Sequence, residues 1–179
     1  MGTALPGFGA PAVGFEQPYE MLEACHERVQ RTLDLLGRLL DYVERQGHDA
    51  QTRSAAADVL RYFDLAAPLH HEDEEKHVFP LLLAQGDTAL RAAVQQLQAE
   101  HETMSGLWAQ LRQPLLRWRE TGATDRPDAN LRALAQRFRT LYDGHIPREE
   151  QLAYPAARTI MDEATQTAMG VEMQARRRA

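Results

Sequence analysis

The sequence predicts an all-α chain, an up-down-up-down four-helix bundle made of two pseudo-repeated helical hairpins. Two observations carry this: apolar residues recur at helical spacing along four long segments without strand-like alternation, and the chain superposes on itself at an offset of 75 positions. The first segment opens at Pro18, suited to the first helical position, and runs through Leu22, Val29, Leu33, Leu36, Leu40 and Val43 to a stop at Gly47. A second begins near Gln51, passes Val59, Phe63, Leu69 and Phe79, and ends at Gly86, with Pro68 and Pro80 interrupting it. Asp87 or Thr88 caps the third, which carries Leu90, Val94, Leu97, Leu107, Trp108, Leu111 and Leu115 towards Gly122, with Pro114 as a kink point. After a stretch of turn formers from Thr121 to Pro127, Leu131, Leu134, Phe138, Leu141, Ile146, Leu152 and Ile160 mark the fourth. Three units follow: an extended Gly- and Pro-rich arm over 1–17, the bundle over 18–163, and a basic tail over 164–179 where periodicity fades.

Composition narrows the function classes. A chain of 179 residues that is 44% hydrophobic and 26% charged can bury a sizeable core. Its net charge of −6 offers no field attractive to phosphate backbones, so nucleic acid is not an expected partner. A lone cysteine, Cys25, excludes an intramolecular disulfide and a cysteine-rich metal knuckle. No apolar run approaches the roughly 20 residues of a bilayer span, and the N-terminus has no signal-peptide or myristoylation pattern. The expectation is a cytoplasmic protein with no membrane partner.

The self-superposition also carries the chemistry. It places His26 on His101, His70 on His145, Glu74 on Glu149, Glu75 on Glu150 and Pro80 on Pro155. With seven histidines in the chain, a chance His-on-His match at a given offset arises at only about one histidine in 25. Each hairpin thus supplies one histidine from its first helix and a His-x-x-x-Glu from its second. Residues i and i+4 lie one turn apart on one helical face, so imidazole and carboxylate converge on one point in the core. Imidazole with carboxylate suits non-haem iron or manganese, and two facing carboxylates are placed to bridge two ions. A lone histidine on an amphipathic helix is usually a surface or hydrogen-bonded residue. Four histidines and two glutamates aimed at an empty core would instead bury uncompensated charge at a cost of several kcal/mol, by order of magnitude, which a metal offsets. His26, His70, Glu74, His101, His145 and Glu149 are therefore the candidate metal ligands.

The segments His70-His-Glu-Asp-Glu-Glu-Lys-His-Val-Phe-Pro80 and His145-Ile-Pro-Arg-Glu-Glu-Gln-Leu-Ala-Tyr-Pro155, each preceded by a His-Glu pair at 26–27 and 101–102, resemble the hemerythrin-like HHE cation-binding family. The resemblance spans about Pro18 to Glu163. It implies a hemerythrin-like bundle around a non-haem di-iron centre of two iron ions, binding dioxygen or serving oxygen, nitric oxide, redox or iron handling. Manganese or zinc are the other metals such a ligand set accepts. The chain departs from the oxygen carriers of that family at two places. Where they have His-x-x-x-His on the third helix, Ser105 stands four residues after His101; where they have His-x-x-x-x-Asp on the fourth, Glu149 and Glu150 follow His145 at four and five. With one imidazole missing, about two coordination positions stay open if each iron takes about six ligands.

His77 falls on the His70–Glu74 stripe at straight α-helical spacing, which makes it an additional ligand or a group on the rim behind the ligands. His71, Glu75 and Glu150 are turned about 100° off that face and read as exposed, salt-bridging or ligand-orienting groups. Tyr142, three residues before His145, is within reach of the centre, and Cys25 reads as a small core residue. The function expected is a metal-binding protein that binds, senses or stores dioxygen or a related small ligand such as nitric oxide or peroxide. The alternatives are a di-iron enzyme in peroxide or nitric oxide detoxification and a zinc-loaded or metal-free structural bundle. Binding ranks above catalysis, because no activated nucleophile or phosphate-cradling loop is legible and no catalytic residue can be named.

Overall fold

A computed structural model describes residues 13–178. Every regular element among them is helical, in the order α1 (Pro18–Gln46), α2 (Ala50–Arg61), α3 (Ala67–Asp73), α4 (Phe79–Gln85), α5 (Thr88–Arg119), α6 (Ala129–Arg148), α7 (Tyr154–Ile160) and α8 (Glu163–Arg176). Helices α2, α3 and α4 follow one another through single π-helical turns at Tyr62–Ala66 and Glu74–Val78, and α6 passes into α7 through a third at Glu149–Ala153. The second and fourth segments expected from the sequence are thus each one long arm with widened turns. Arm packs on arm around a closed ring: α1 on α2, α2 on α5, α5 on α6 and α6 on α1.

Local chemistry sets the boundaries. Aspartate side chains at Asp49, Asp87, Asp128 and Asp162 accept from backbone N–H groups in the first turns of α2, α5, α6 and α8, satisfying donors that no helical carbonyl reaches. The second arm accordingly opens at Ala50, one residue before the expected start. Gly47 ends α1 at φ 80°, a conformation that glycine adopts without a Cβ clash. Each π turn is followed two residues later by a proline, at Pro68, Pro80 and Pro155. Proline has no N–H and its ring collides with the carbonyl four residues back, and a turn of wider pitch relieves that collision without ending the helix. Pro114 and Pro147, by contrast, lie inside continuous helices.

The core has two apolar layers. One gathers Val29, Leu33, Phe63, Ala67, Met104, Leu107, Phe138 and Ile146; the other gathers Leu22, Val78, Phe79, Leu97, Ala153, Tyr154, Met169 and Met173. Candidate ligands fall where the layers meet, His26 between Leu22 and Val29, His101 between Leu97 and Met104, and Glu149 between Ile146 and Ala153. Polar groups thereby share one stratum of the bundle.

The basic tail needs correction. Residues 163–176 form α8, which buries Met169, Gly170 and Met173 against the second layer. A Cβ at Gly170 would collide with the Phe15 carbonyl oxygen, so glycine permits the segment before Pro18 to cross it. Arg176 and Arg177 at its end pair with buried Asp73. Most of the expected N-terminal arm, residues 1–12, lies outside the described residues. Among the described residues, no helix is long and apolar enough to cross a membrane.

Candidate metal centre

Helix α1 supplies His26, α3 His70, the following π turn Glu74, α5 His101, α6 His145 and its π turn Glu149. All six are buried, and both glutamates are completely enclosed. They form two overlapping sets, His26, His70, Glu74 and Glu149, then Glu74, His101, His145 and Glu149, each with ligand atoms within 4.8 Å of one another. The two carboxylates belong to both sets. The imidazoles come in pairs, with Nε2 atoms 3.1 Å apart for His26–His70 and also 3.1 Å apart for His101–His145.

All four Nε2 atoms face inward, and the opposite nitrogens of three rings are engaged outward. His26 Nδ1 lies 2.8 Å from Glu150, His101 Nδ1 3.0 Å from Glu75, and His145 Nδ1 2.8 Å from Glu100. A carboxylate accepting from Nδ1–H fixes the tautomer that leaves a lone pair on Nε2, the form a metal requires. Glu75 and Glu150 thus orient the imidazoles of His101 and His26. Of the two roles expected for His77, the structure does not place it with the ligands and leaves the rim. Its Nε2 is 2.6 Å from Glu172 on α8, and it joins neither set. The π turn from Glu74 to Val78 adds a residue to that turn and rotates His77 off the stripe that regular α-helical spacing assigned to it. His71, read as exposed or outlying, stacks on His101 with ring centroids 4.0 Å apart. Tyr142 is buried with its ring 6.4 Å from that of His145.

Two further residues belong to the site. Tyr154 lies parallel to the His26 ring and donates its hydroxyl to Glu74. The repeat carried a signal for it, because Tyr154 falls on Phe79, whose ring stacks on His101 in the same manner. Glu100 carried none, since its repeat position is Cys25.

The donor set fits metal. Both oxygens of Glu149 and one of Glu74 are buried with no hydrogen-bond partner among the described residues. Inward lone pairs of imidazole and carboxylate face each other at 2.8 Å for His145–Glu149 and 3.1 Å for His26–Glu149, an arrangement that needs positive charge between them. Without metal, protons fill that role. Burial lowers His26 and His101, but Glu149 and Glu74 outweigh it and lift them to about 9 and about 10. Burial, reinforced by Glu149, raises Glu74 to about 7, while the surrounding imidazoles hold Glu149 well below the usual carboxylate range against the opposing effect of burial.

The hemerythrin HHE cation-binding domain matches residues 17–157, which contain all six of these residues. The chain belongs to the hemerythrin HHE family. An uncharacterized protein of Haemophilus influenzae is 35% identical over 163 residues, 91% of either chain. Family membership implies cation binding at this domain, and the buried His/Glu sets are where this HHE chain could hold it. A cleft of about 800 Å³, lined by Phe63, His71, Ser105, Trp108 and Tyr142, reaches His101 from the surface. Ser105, at the position where the oxygen-carrying hemerythrins have histidine, donates to the His101 carbonyl at 3.0 Å and leaves the wall of that cleft small.

Proposed function

We propose that the cage holds two metal ions, iron foremost, and that the chain binds, senses or stores dioxygen or a related small ligand such as nitric oxide or peroxide. The observation that supports this best is the overlap of the two sets, each with two imidazoles and both sharing Glu74 and Glu149. In this reading the four long arms alternate in direction around the cage, with α8 added outside. A bound di-iron centre would supply reversible coordination and redox chemistry toward small ligands. The residues do the rest. Glu75, Glu100 and Glu150 hold His101, His145 and His26 with Nε2 inward, and the two apolar layers exclude bulk water. Tyr154 keeps a proton at the Glu74 carboxylate oxygen. Ser105 supplies no imidazole, so the His101 side keeps room for an exchangeable ligand arriving through the cleft.

Elemental analysis of the aerobically purified protein, paired with its near-ultraviolet absorption, tests the reading. About two irons per chain with an oxygen-to-iron charge-transfer band supports it; zinc alone or no metal supports the structural bundle. The cleft favours one further reading, an enzyme handling peroxide or nitric oxide at the same centre, which turnover with either compound would identify.

A further inference from the structure

The repeat is broken at one point that touches the cage. His145 Nδ1 is 2.8 Å from Glu100, and Glu100 is gripped in turn by Arg148 at 2.9 Å. At the repeat positions stand His70, Cys25 and Asp73. Cys25 is a buried free thiol, and Asp73 turns away to Arg176 and Arg177 on the far side of its arm. His70 Nδ1 is left buried with no hydrogen-bond partner among the described residues, on a residue only 2% exposed. Three imidazoles therefore have a carboxylate behind them and the fourth has none. A thiol is a weak acceptor and cannot replace one.

A second asymmetry acts in the same direction. Tyr154 donates to Glu74 Oε1, the oxygen that faces His70 Nε2 at 3.6 Å, whereas Glu74 Oε2 faces His101 at 3.4 Å. Phe79, on the repeat position of Tyr154, has no hydroxyl, and both oxygens of Glu149 are free of hydrogen bonds among the described residues. One carboxylate oxygen on the His26–His70 side is thus shared with a proton donor.

We propose that the two metal positions are unequal, and that Cys25, standing where the other hairpin has Glu100, makes the His26–His70 position the weaker and more readily exchanged. This rests on the two-metal reading above. A carboxylate behind an imidazole raises the basicity of the ligating nitrogen and fixes the ring, and its loss costs about 10- to 100-fold in metal affinity. Cys25 is a positioning residue by its absence of charge. It leaves one ligand free to tilt and less basic than its three counterparts.

The test is anaerobic titration of the full-length, metal-free protein with ferrous iron, and in parallel with cobalt(II), whose absorption reports each step. Two equivalents should bind, with affinities about tenfold or more apart. His70→Ala should remove the weaker step and His145→Ala the tighter one. Cys25→Glu should narrow the gap by strengthening the weaker step alone. Should that variant fail to fold, Glu100→Cys serves, narrowing the gap by weakening the tighter step. Two equivalents of equal affinity in the unaltered protein, or a gap that the folded variant leaves as wide as before, would overturn the inference while leaving the two-metal reading intact. Zero equivalents would overturn both.

Discussion

The Tyr154 hydroxyl donates to Glu74 in the middle of the cage, with the tyrosine ring parallel to His26 at a centroid distance of 5.7 Å. A phenol there does two jobs that the repeat separates. Stacking on an imidazole is shared with Phe79, and hydrogen bonding to a carboxylate is Tyr154's own. Tyr154→Phe should keep the first and lose the second. A hydrogen bond to a charged group contributes about 1.5–3 kcal/mol, so the variant should fold but lose about that much stability in urea denaturation of the chelator-treated protein. A loss below about 0.5 kcal/mol would mean that Glu74 takes no support from the hydroxyl.

Glu74 sets stability against binding. It is fully enclosed and faces Glu149, so burial and like charge both raise it to about 7. Glu74→Gln keeps an acceptor for Tyr154 and removes the charge. The chelator-treated variant should gain about 1–3 kcal/mol over the unaltered protein, because a carboxyl that burial and a like charge raise on folding costs stability once it ionises. Metal should then stabilise the variant far less than the original, since a ligand that binds only the folded state raises stability with its affinity. Thermal melts with and without added ferrous iron read both effects. A destabilised chelated variant would refute the argument.

His77→Ala separates the ligand stripe as drawn on a regular helix from the stripe the π turn makes. The His77–Glu172 pair is half-buried, with the two side chains 21% and 39% exposed. Partly exposed pairs of this kind contribute about 0–1 kcal/mol. Metal stoichiometry should not change, and the melting temperature should move by no more than a few degrees. Loss of one metal equivalent would restore His77 to the ligand set.

The course of the chain explains which parts were legible in the sequence. The repeat superposes chemistry-bearing residues whatever the detailed helix geometry, so the six cage residues and the all-helical fold emerged together. The π turn at Glu74–Val78 lies beyond the reach of any fixed-period reading, and extrapolation past Glu74 misplaced His77. Its recurrence at Glu149–Ala153, 75 residues on, shows that the backbone follows the repeat as the side chains do. Glu100 escaped notice because its repeat position is a cysteine. Helix α8 escaped because its apolar face is only Met169, Gly170 and Met173, followed by arginines that resemble a solvated tail. Their partner, Asp73, lies about a hundred positions away in sequence, a distance over which pattern carries no information.

That pairing yields the last prediction. Asp73 is completely buried, while Arg176 and Arg177 are 15% and 21% exposed and retain a path to water. The two sides of the cluster should therefore respond unequally to truncation. Replacing both arginines by alanine leaves a buried carboxylate unpaired, which costs about 3–5 kcal/mol and frees the end of α8. Replacing Asp73 by alanine lets the arginines turn to solvent, or to Glu72 and Glu172, which already lie 3.3 and 2.7 Å from Arg176, and should cost much less. Adding Asp73→Ala to the double arginine variant should recover part of the lost stability, because the stranded charge is gone. Urea denaturation of the four proteins measures the cycle. Equal costs from the two sides would mean that the cluster is held by packing of α8 and not by charge.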